Sequence, residues 1–332
     1  MHNFENMITG RKNAHALVMN YFINSTAEYH QHDLKTLGWE LTVCNSLEPV
    51  NSPCRKILSS PDSFGRLLYS LLKTIIPFDK VESVLEIGGG MGYLMRDFLS
   101  LNPAIRTKMI DISPFLLDKQ KEMLPSSKVD FELADILSVP LNNLTGFDLV
   151  IMNENLGDLP TLVAAQENQN DSGAPNDRID SKLDHFNKQY NLHLGMNQSE
   201  HINIGALETV EKLCLAGIRY IYLSEHSCEA AVPESMQAYL SFNTPGIPEM
   251  ISLKGHQEFT IKFSCLQKIA EMLNYKARRG AFADFLPLDL SDKVKTALRL
   301  TTPYNDEQEI IRQFVYDLYK YEYLILIRGD ES

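Results

Sequence analysis

The sequence predicts an α/β protein with a doubly wound, mostly parallel sheet, and three observations carry that expectation. From Val81 onward, short apolar runs alternate with amphipathic stretches of helical period. The run Phe147–Met152 is apolar at nearly every position, as a strand buried on both faces must be. A glycine-rich segment, Gly88-Gly89-Gly90-Met91-Gly92, follows the first apolar run directly and precedes a helical one. Alternation of this kind implies right-handed βαβ units, which place helices on both faces of one sheet.

Taken in order, residues 1–80 read as an N-terminal helical lobe. Helices are expected over Ala14–Tyr29 and Phe64–Ile76, with a loop across the Pro, Ser and Asn-rich stretch Asn45–Ser63. The sheet domain is expected over residues 81–332. Its strands are predicted at Ser83–Ile87, Lys108–Ile112, Val129–Leu133, Phe147–Met152, Arg219–Leu223 and Tyr323–Ile327. Helices are predicted at Tyr93–Leu101, Phe115–Leu124, Ile204–Leu215 and Phe263–Leu273. Residues from about 165 to 200 are rich in Asn, Asp, Ser and Gln, and read as an insertion, a flexible loop forming part of a lid.

Composition narrows the function. A chain of 332 residues with 44% hydrophobic content can bury a large core. Its net charge of -12 opposes a nucleic-acid partner, whose phosphates are bound through Lys and Arg clusters. Arg278-Arg279 is too small a basic spot to change that. The five cysteines are scattered without the paired spacing of zinc or redox motifs, and no metal ligands are assigned. Met1–Asn20 lacks the apolar stretch of a signal peptide, and no apolar run approaches the ~20 residues that span a bilayer. A cytoplasmic protein without a membrane partner is expected, with a homodimer allowed.

The chemistry concentrates at strand ends. Glu86, Gly88, Gly90 and Gly92 combine an acid with glycines where positive φ or close approach to a ligand is needed. A dinucleotide fingerprint would place a glycine at position 93, where this chain has Tyr93. The spacing matches the acidic-x-Gly-x-Gly-x-Gly turn of methyltransferases instead. Asp111, with Ile112 beside it, ends the second strand where a carboxylate can accept both hydroxyls of a ribose. Asp135 follows the third strand and is placed to accept from an adenine amino group, with Ile136 covering the ring. Three such carboxylates suit adenosine carrying a cationic tail better than a pyrophosphate, which they would repel. Asn153, Glu154 and Asp158 follow the fourth strand, at the rim where a methyl acceptor would lie. Glu225-His226 ends the fifth strand and offers an imidazole as a general base.

These segments together resemble the class I methyltransferases, and within them the MidA-like family, which includes the protein arginine methyltransferase that assists mitochondrial complex I assembly. The resemblance runs through Ser59-Ser60-Pro61-Asp62 with Phe64-Gly65, through Glu86–Met95, through Ile110-Asp111-Ile112-Ser113-Pro114, through Asn153-Glu154 with Leu159-Pro160, and through Gly255–Leu266. It implies a seven-stranded Rossmann-like sheet and S-adenosyl-L-methionine as cofactor. Glu86, Gly88, Gly90, Gly92, Asp111, Ile112, Asp135, Ile136 and Asn153 would bind the cofactor, and Glu154 and Asp158 would serve catalysis. It also implies methylation of arginine in a protein. The chain departs from the family at two places: Gly157 stands where the family has an acid inside its Asn-Glu motif, and Lys262 where it has a His. Two alternatives therefore stand beside the arginine reading. One is a small-molecule O-methyltransferase using His226 as base; the other is a non-catalytic methyltransferase-like assembly factor, for which Gly157 is the best argument.

Overall fold

The computed structural model describes residues 21–35, 42–125, 127–164, 177–195, 200–300 and 305–330. The first described elements are strand β1 (Tyr21–Asn24), the short helix α1 (Val43–Ser46) and helix α2 (Phe64–Ile75). The alternating part runs β2 (Ser83–Ile87), α3 (Tyr93–Leu101), β3 (Arg106–Asp111), α4 (Pro114–Met123), β4 (Val129–Leu133) and β5 (Leu149–Asn153). After β6 (Thr161–Ala164) come helices α5 (Asp177–Tyr190) and α6 (Ile204–Leu215), then β7 (Tyr220–His226). The strands β8 (Met250–Ser252) and β9 (Gln257–Phe259) form a small hairpin, followed by α7 (Phe263–Met272) and β10 (Tyr275–Ala281). Helices α8 (Asp292–Arg299) and α9 (Asp306–Lys320) lead into the last strand, β11 (Tyr321–Arg328).

One seven-stranded sheet organises these elements in the order β10-β11-β7-β5-β2-β3-β4. Its neighbours are parallel except at β11, which runs antiparallel to both β10 and β7. Side-chain alternation divides the core in two. Leu149 and Ile151 of β5, Tyr220 and Tyr222 of β7, and Tyr321 and Tyr323 of β11 face a core completed by α2, α3, α8 and α9. Val150 and Met152, Ile221 and Leu223, and Leu324 and Leu326 face the opposite core, completed by α5, α6 and α7. The alternating tyrosines near the C-terminus are thus one face of a buried strand. Both cores persist through β5 because it lies at the middle of the sheet, where no face meets water.

Local chemistry sets the helix starts. Ser113 caps α4 by accepting the Leu116 N–H at 3.3 Å, with Pro114 at the first helical position. Asn305 caps α9 by accepting the Gln308 N–H at 2.9 Å, ahead of Asp306, Glu307 and Glu309, which favour the positive end of the helix dipole.

Two expectations fail. Residues 21–24 are extended, not part of a helix over Ala14–Tyr29, whose first seven residues lie outside the described ones. The cause is long-range: β1 pairs antiparallel with β6, Tyr21 opposite Ala164 and Asn24 opposite Thr161. The region expected as a flexible loop from about 165 to 200 contains helix α5. Its Ile179, Leu183, Phe186 and Tyr190 recur at helical spacing and are buried against the second core. Residues 165–176 and 196–199 of that region lie outside the described ones. Among the described residues no helix is long and apolar enough to cross a membrane.

Candidate functional site

A cavity opens at the C-terminal ends of β2, β3, β4, β5 and β7, the edge where open α/β sheets hold ligands. Glu86, Asp111 and Asp135 line it together, as do Ile112, Ile136, Asn153, Glu154 and Asp158. Of the glycines proposed for the turn, Gly88 and Gly90 line the cavity, while Gly92 stands just outside it as the left-handed cap of α3. All three have positive φ, at 66°, 54° and 81°. Their surroundings differ. A Cβ on Gly88 would lie 2.3 Å from the Asn155 side-chain nitrogen, whereas one on Gly90 would meet no atom within 4 Å. Gly90 is therefore where the backbone leaves room for a ligand.

The turn is braced by two amides. Asn155 donates to the carbonyls of Ile87 and Gly88 at 2.6 and 3.2 Å. Gln120 donates to the Gly90 carbonyl at 3.0 Å and to Asp111 Oδ2 at 2.7 Å, so one side chain ties the turn to the carboxylate that ends β3. Each amide leaves its oxygen buried without a partner, and Glu86 Oε2 is likewise unpartnered. Buried polar atoms are nearly always paired in folded proteins, so the two on cavity-lining residues, Glu86 and Asn155, point to a ligand with donors. Burial, with Asp111 nearby, pushes the Glu86 carboxyl up to about 8. Burial also raises Asp111, to about 6, against the hydrogen bonds from Ser113 and Gln120. Asp135 is less enclosed, and its Oδ1 accepts the Leu137 N–H at 2.9 Å. Its loop is held by Lys212 of α6, whose Nζ donates to the carbonyls of Ile136, Leu137 and Val139 at 2.9, 2.9 and 2.7 Å.

The rim differs from expectation in three details. Glu154 lines the cavity but also accepts the N–H groups of Val43 and Cys44 at 2.6 and 3.0 Å, capping α1. Burial raises its carboxyl to about 7 despite those bonds. His226 stacks on Tyr321 at 3.8 Å and does not line the cavity; its neighbour Glu225 does. Glu225 accepts the N–H groups of Gly157 and His226, and burial raises it to about 8. Gly157 has a steric cause, since a Cβ there would lie 2.9 Å from the Phe259 carbonyl of β9. The hairpin takes the space of a side chain at 157, and the acid at 158 faces the cavity instead. Lys262 lies away from the cavity, paired with Glu200 at 2.8 Å.

The described part of the expected lid does not cover the cavity; residues 165–176 and 196–199 lie outside the described ones. None of residues 177–195 lines it; the walls outside the strand ends are Thr26, Tyr29, His30 and Leu34, then Thr42, Cys44 and Asn45, and His256 with Glu258 of the hairpin. His256, Glu258 and residues 25–34, Thr42, Cys44 and Asn45 escaped sequence reading because they meet the strand ends only in three dimensions, and Glu225 is read there only as the neighbour of His226. Among the described residues seven carboxylates line the cavity and no Lys or Arg does; burial disfavours their ionised forms, and a cation entering the cavity would favour them.

No protein-family profile matches the chain. Over 97 residues it is 29% identical to a malonyl-[acyl-carrier protein] O-methyltransferase of Acetivibrio thermocellus, covering 28% of this chain and 34% of that protein. Over 88 residues it is 30% identical to the enzyme of the same name from Anoxybacillus flavithermus, covering 26% and 32%. The chain thus spans about a third of the length of these curated relatives. Among solved structures, an uncharacterized ACR superfamily protein from Burkholderia thailandensis superposes with a TM-score of 0.50 at 13% identity, over 89% of this chain and 88% of that one. The fold is that of a class I methyltransferase.

Proposed function

We propose that the chain is an S-adenosylmethionine-dependent methyltransferase acting on a nitrogen of arginine in a protein. The observation that carries this reading is the convergence of Glu86, Asp111 and Asp135 with the open Gly90 backbone on one acidic cavity. The cofactor fits the residues present. The ammonium of its amino acid end matches the unpartnered Glu86 oxygen, and its hydroxyls and amine match the bare Asn155 oxygen. Asp111 retains lone pairs for a ribose beyond those given to Ser113 and Gln120. Ile112 and Ile136 offer apolar surface for a base beside Asp135.

When bound, the cofactor supplies a sulfonium methyl that a nucleophile takes by in-line displacement. The protein then has to align the acceptor and take one proton. Glu225 suits that role once a guanidinium beside it favours its ionised form, because two backbone N–H groups fix it and it lines the cavity. Glu154 stands with it on the rim. A guanidinium stays protonated at any working pH, so carboxylates must orient it and accept its proton late. A cavity lined by carboxyls without Lys or Arg suits such a cation, which restores their ionised forms, and offers no cationic partner to a malonyl carboxylate. The position of His226 outside the cavity removes the main argument for an imidazole-based O-methyltransferase.

The test is incubation of the full chain with methyl-labelled S-adenosylmethionine and a protein lysate, followed by acid hydrolysis and amino acid analysis. Label in methylarginine is expected. Label confined to small molecules would overturn the acceptor, and S-adenosylhomocysteine failing to raise the melting temperature would overturn the cofactor.

A further inference from the structure

At the mouth of the cavity, opposite the glycine turn, three side chains from distant parts of the chain bring their ligand atoms together. His30 comes from the segment after β1, Asp158 from the loop after β5, and His256 from the hairpin. One nitrogen of each imidazole and one Asp158 oxygen all lie within 4.8 Å of one another. His30 Nε2 is 2.9 Å and His256 Nε2 3.8 Å from the same atom, Asp158 Oδ1. Zinc holds nitrogen and oxygen ligands at about 2.0–2.1 Å, so the edges of its tetrahedron are about 3.3 Å long. The observed separations bracket that edge.

The rings are also held in place. Tyr29 stacks on His256 at 4.3 Å, and the two imidazoles meet edge to face at 5.5 Å. The His256 side chain is only 7% exposed. Glu258 Oε1 lies 2.8 Å from His256 Nε2, the nitrogen that also faces Asp158. One N–H can serve only one of two carboxylates, whereas a dication attracts both. Two imidazoles with carboxylate oxygen and no thiolate suit a first-row transition ion, and not the all-oxygen shells of calcium or magnesium.

We propose that His30, Asp158 and His256 bind a divalent transition-metal ion of the zinc type, with an open coordination position toward the cavity. This does not rest on the methyltransferase reading, because the ligands need no cofactor. Three protein ligands and one open position are the pattern of sites where zinc acts on a bound molecule, not of closed structural sites. The ion would join the 29–33 segment, the loop at 156–158 and the hairpin around the cavity mouth. With Asp158 occupied in this way, Glu225 and Glu154 remain to face an acceptor.

The experiment uses the full chain, stripped by a chelator, dialysed and titrated with cobalt(II) in the absence of S-adenosylmethionine. One equivalent should give the intense visible bands of a low-coordinate cobalt site, removed by zinc and untouched by magnesium. His256→Ala and Asp158→Asn should each weaken binding at least as much as the roughly 10–100-fold typical of losing a partner of a ligand. Circular dichroism confirms the fold of each variant. Asp158→Asn, which keeps volume and a hydrogen-bond acceptor, decides the matter if His256→Ala does not fold. Absence of the bands, or bands of equal strength in a folded variant, would overturn the site. Thermal shifts with S-adenosylhomocysteine on the same samples test the cofactor reading separately.

Discussion

At the scale of single residues, Glu86 couples the site to pH. Its carboxyl is raised to about 8, mainly by burial, so the unliganded protein gains stability from it fully below the ordinary value near 4.5. That contribution is lost as the pH rises through about 8. An ammonium beside Glu86 favours the ionised form, so affinity for S-adenosylhomocysteine, placed with its ammonium there, should rise with pH across that window. Titration calorimetry from pH 6 to 8.5 should show the rise in the native protein and a flatter profile in Glu86→Gln; equal slopes would detach Glu86 from the ligand. The glycines separate ligand space from backbone space. Gly90→Val puts a branched side chain where no atom now lies, so the ligand-induced melting shift should vanish while the unliganded protein loses only the roughly 1–2 kcal/mol of a left-handed backbone. Gly88→Ala meets Asn155 instead and should lower the melting temperature of the unliganded protein as well.

At the scale of elements, two carboxylate and ammonium anchors tie loops to the sheet. Glu154 caps α1 from 111 residues away in sequence, through the Val43 and Cys44 N–H groups. An amide cannot accept at both positions, so Glu154→Gln should cost about 1–3 kcal/mol and loosen residues 42–47. Hydrogen exchange localised to those residues, measured beside turnover, separates this anchoring role from a catalytic one. Lys212 anchors the loop that carries Asp135 and Ile136 through three carbonyls. Lys212→Met removes charged donors worth about 1.5–3 kcal/mol together and should weaken adenosine binding about tenfold; binding unchanged in a melt-matched variant would show that the loop holds itself.

At the scale of the whole molecule, the N-terminal segment and the hairpin close over strand ends contributed by half of the chain. A ligand in that cavity touches sheet and cover at once, so it should protect the cover. S-adenosylhomocysteine at 100 times its dissociation constant stabilises by about 2.7 kcal/mol and should slow proteolysis within residues 21–47. Cleavage there at an unchanged rate would mean that the cover does not close on the cofactor.

The sequence by itself determined the central sheet and the floor of the site. Strands β2 and β4 and helices α3 and α6 lie where periodicity puts them, because each buries a face that a local pattern of apolar residues records. Glu86, Asp111 and Asp135 were legible because each lies at the end of its own strand or within two residues of it, so the topology alone carries them to one edge. Strand β10 was not legible: as an edge strand paired on one side it carries Lys276, Arg278 and Arg279, which no apolar pattern marks. Tertiary structure alone decided the rest. It made residues 21–24 a strand by pairing them with β6, turned the supposed loop at 177–190 into a packed helix, and placed Glu225 in the cavity and His226 outside it. It also brought His30, Asp158 and His256 to one point across 226 residues of chain. Contacts of that kind depend on where loops return in space, and a local pattern holds no record of a partner a hundred residues away.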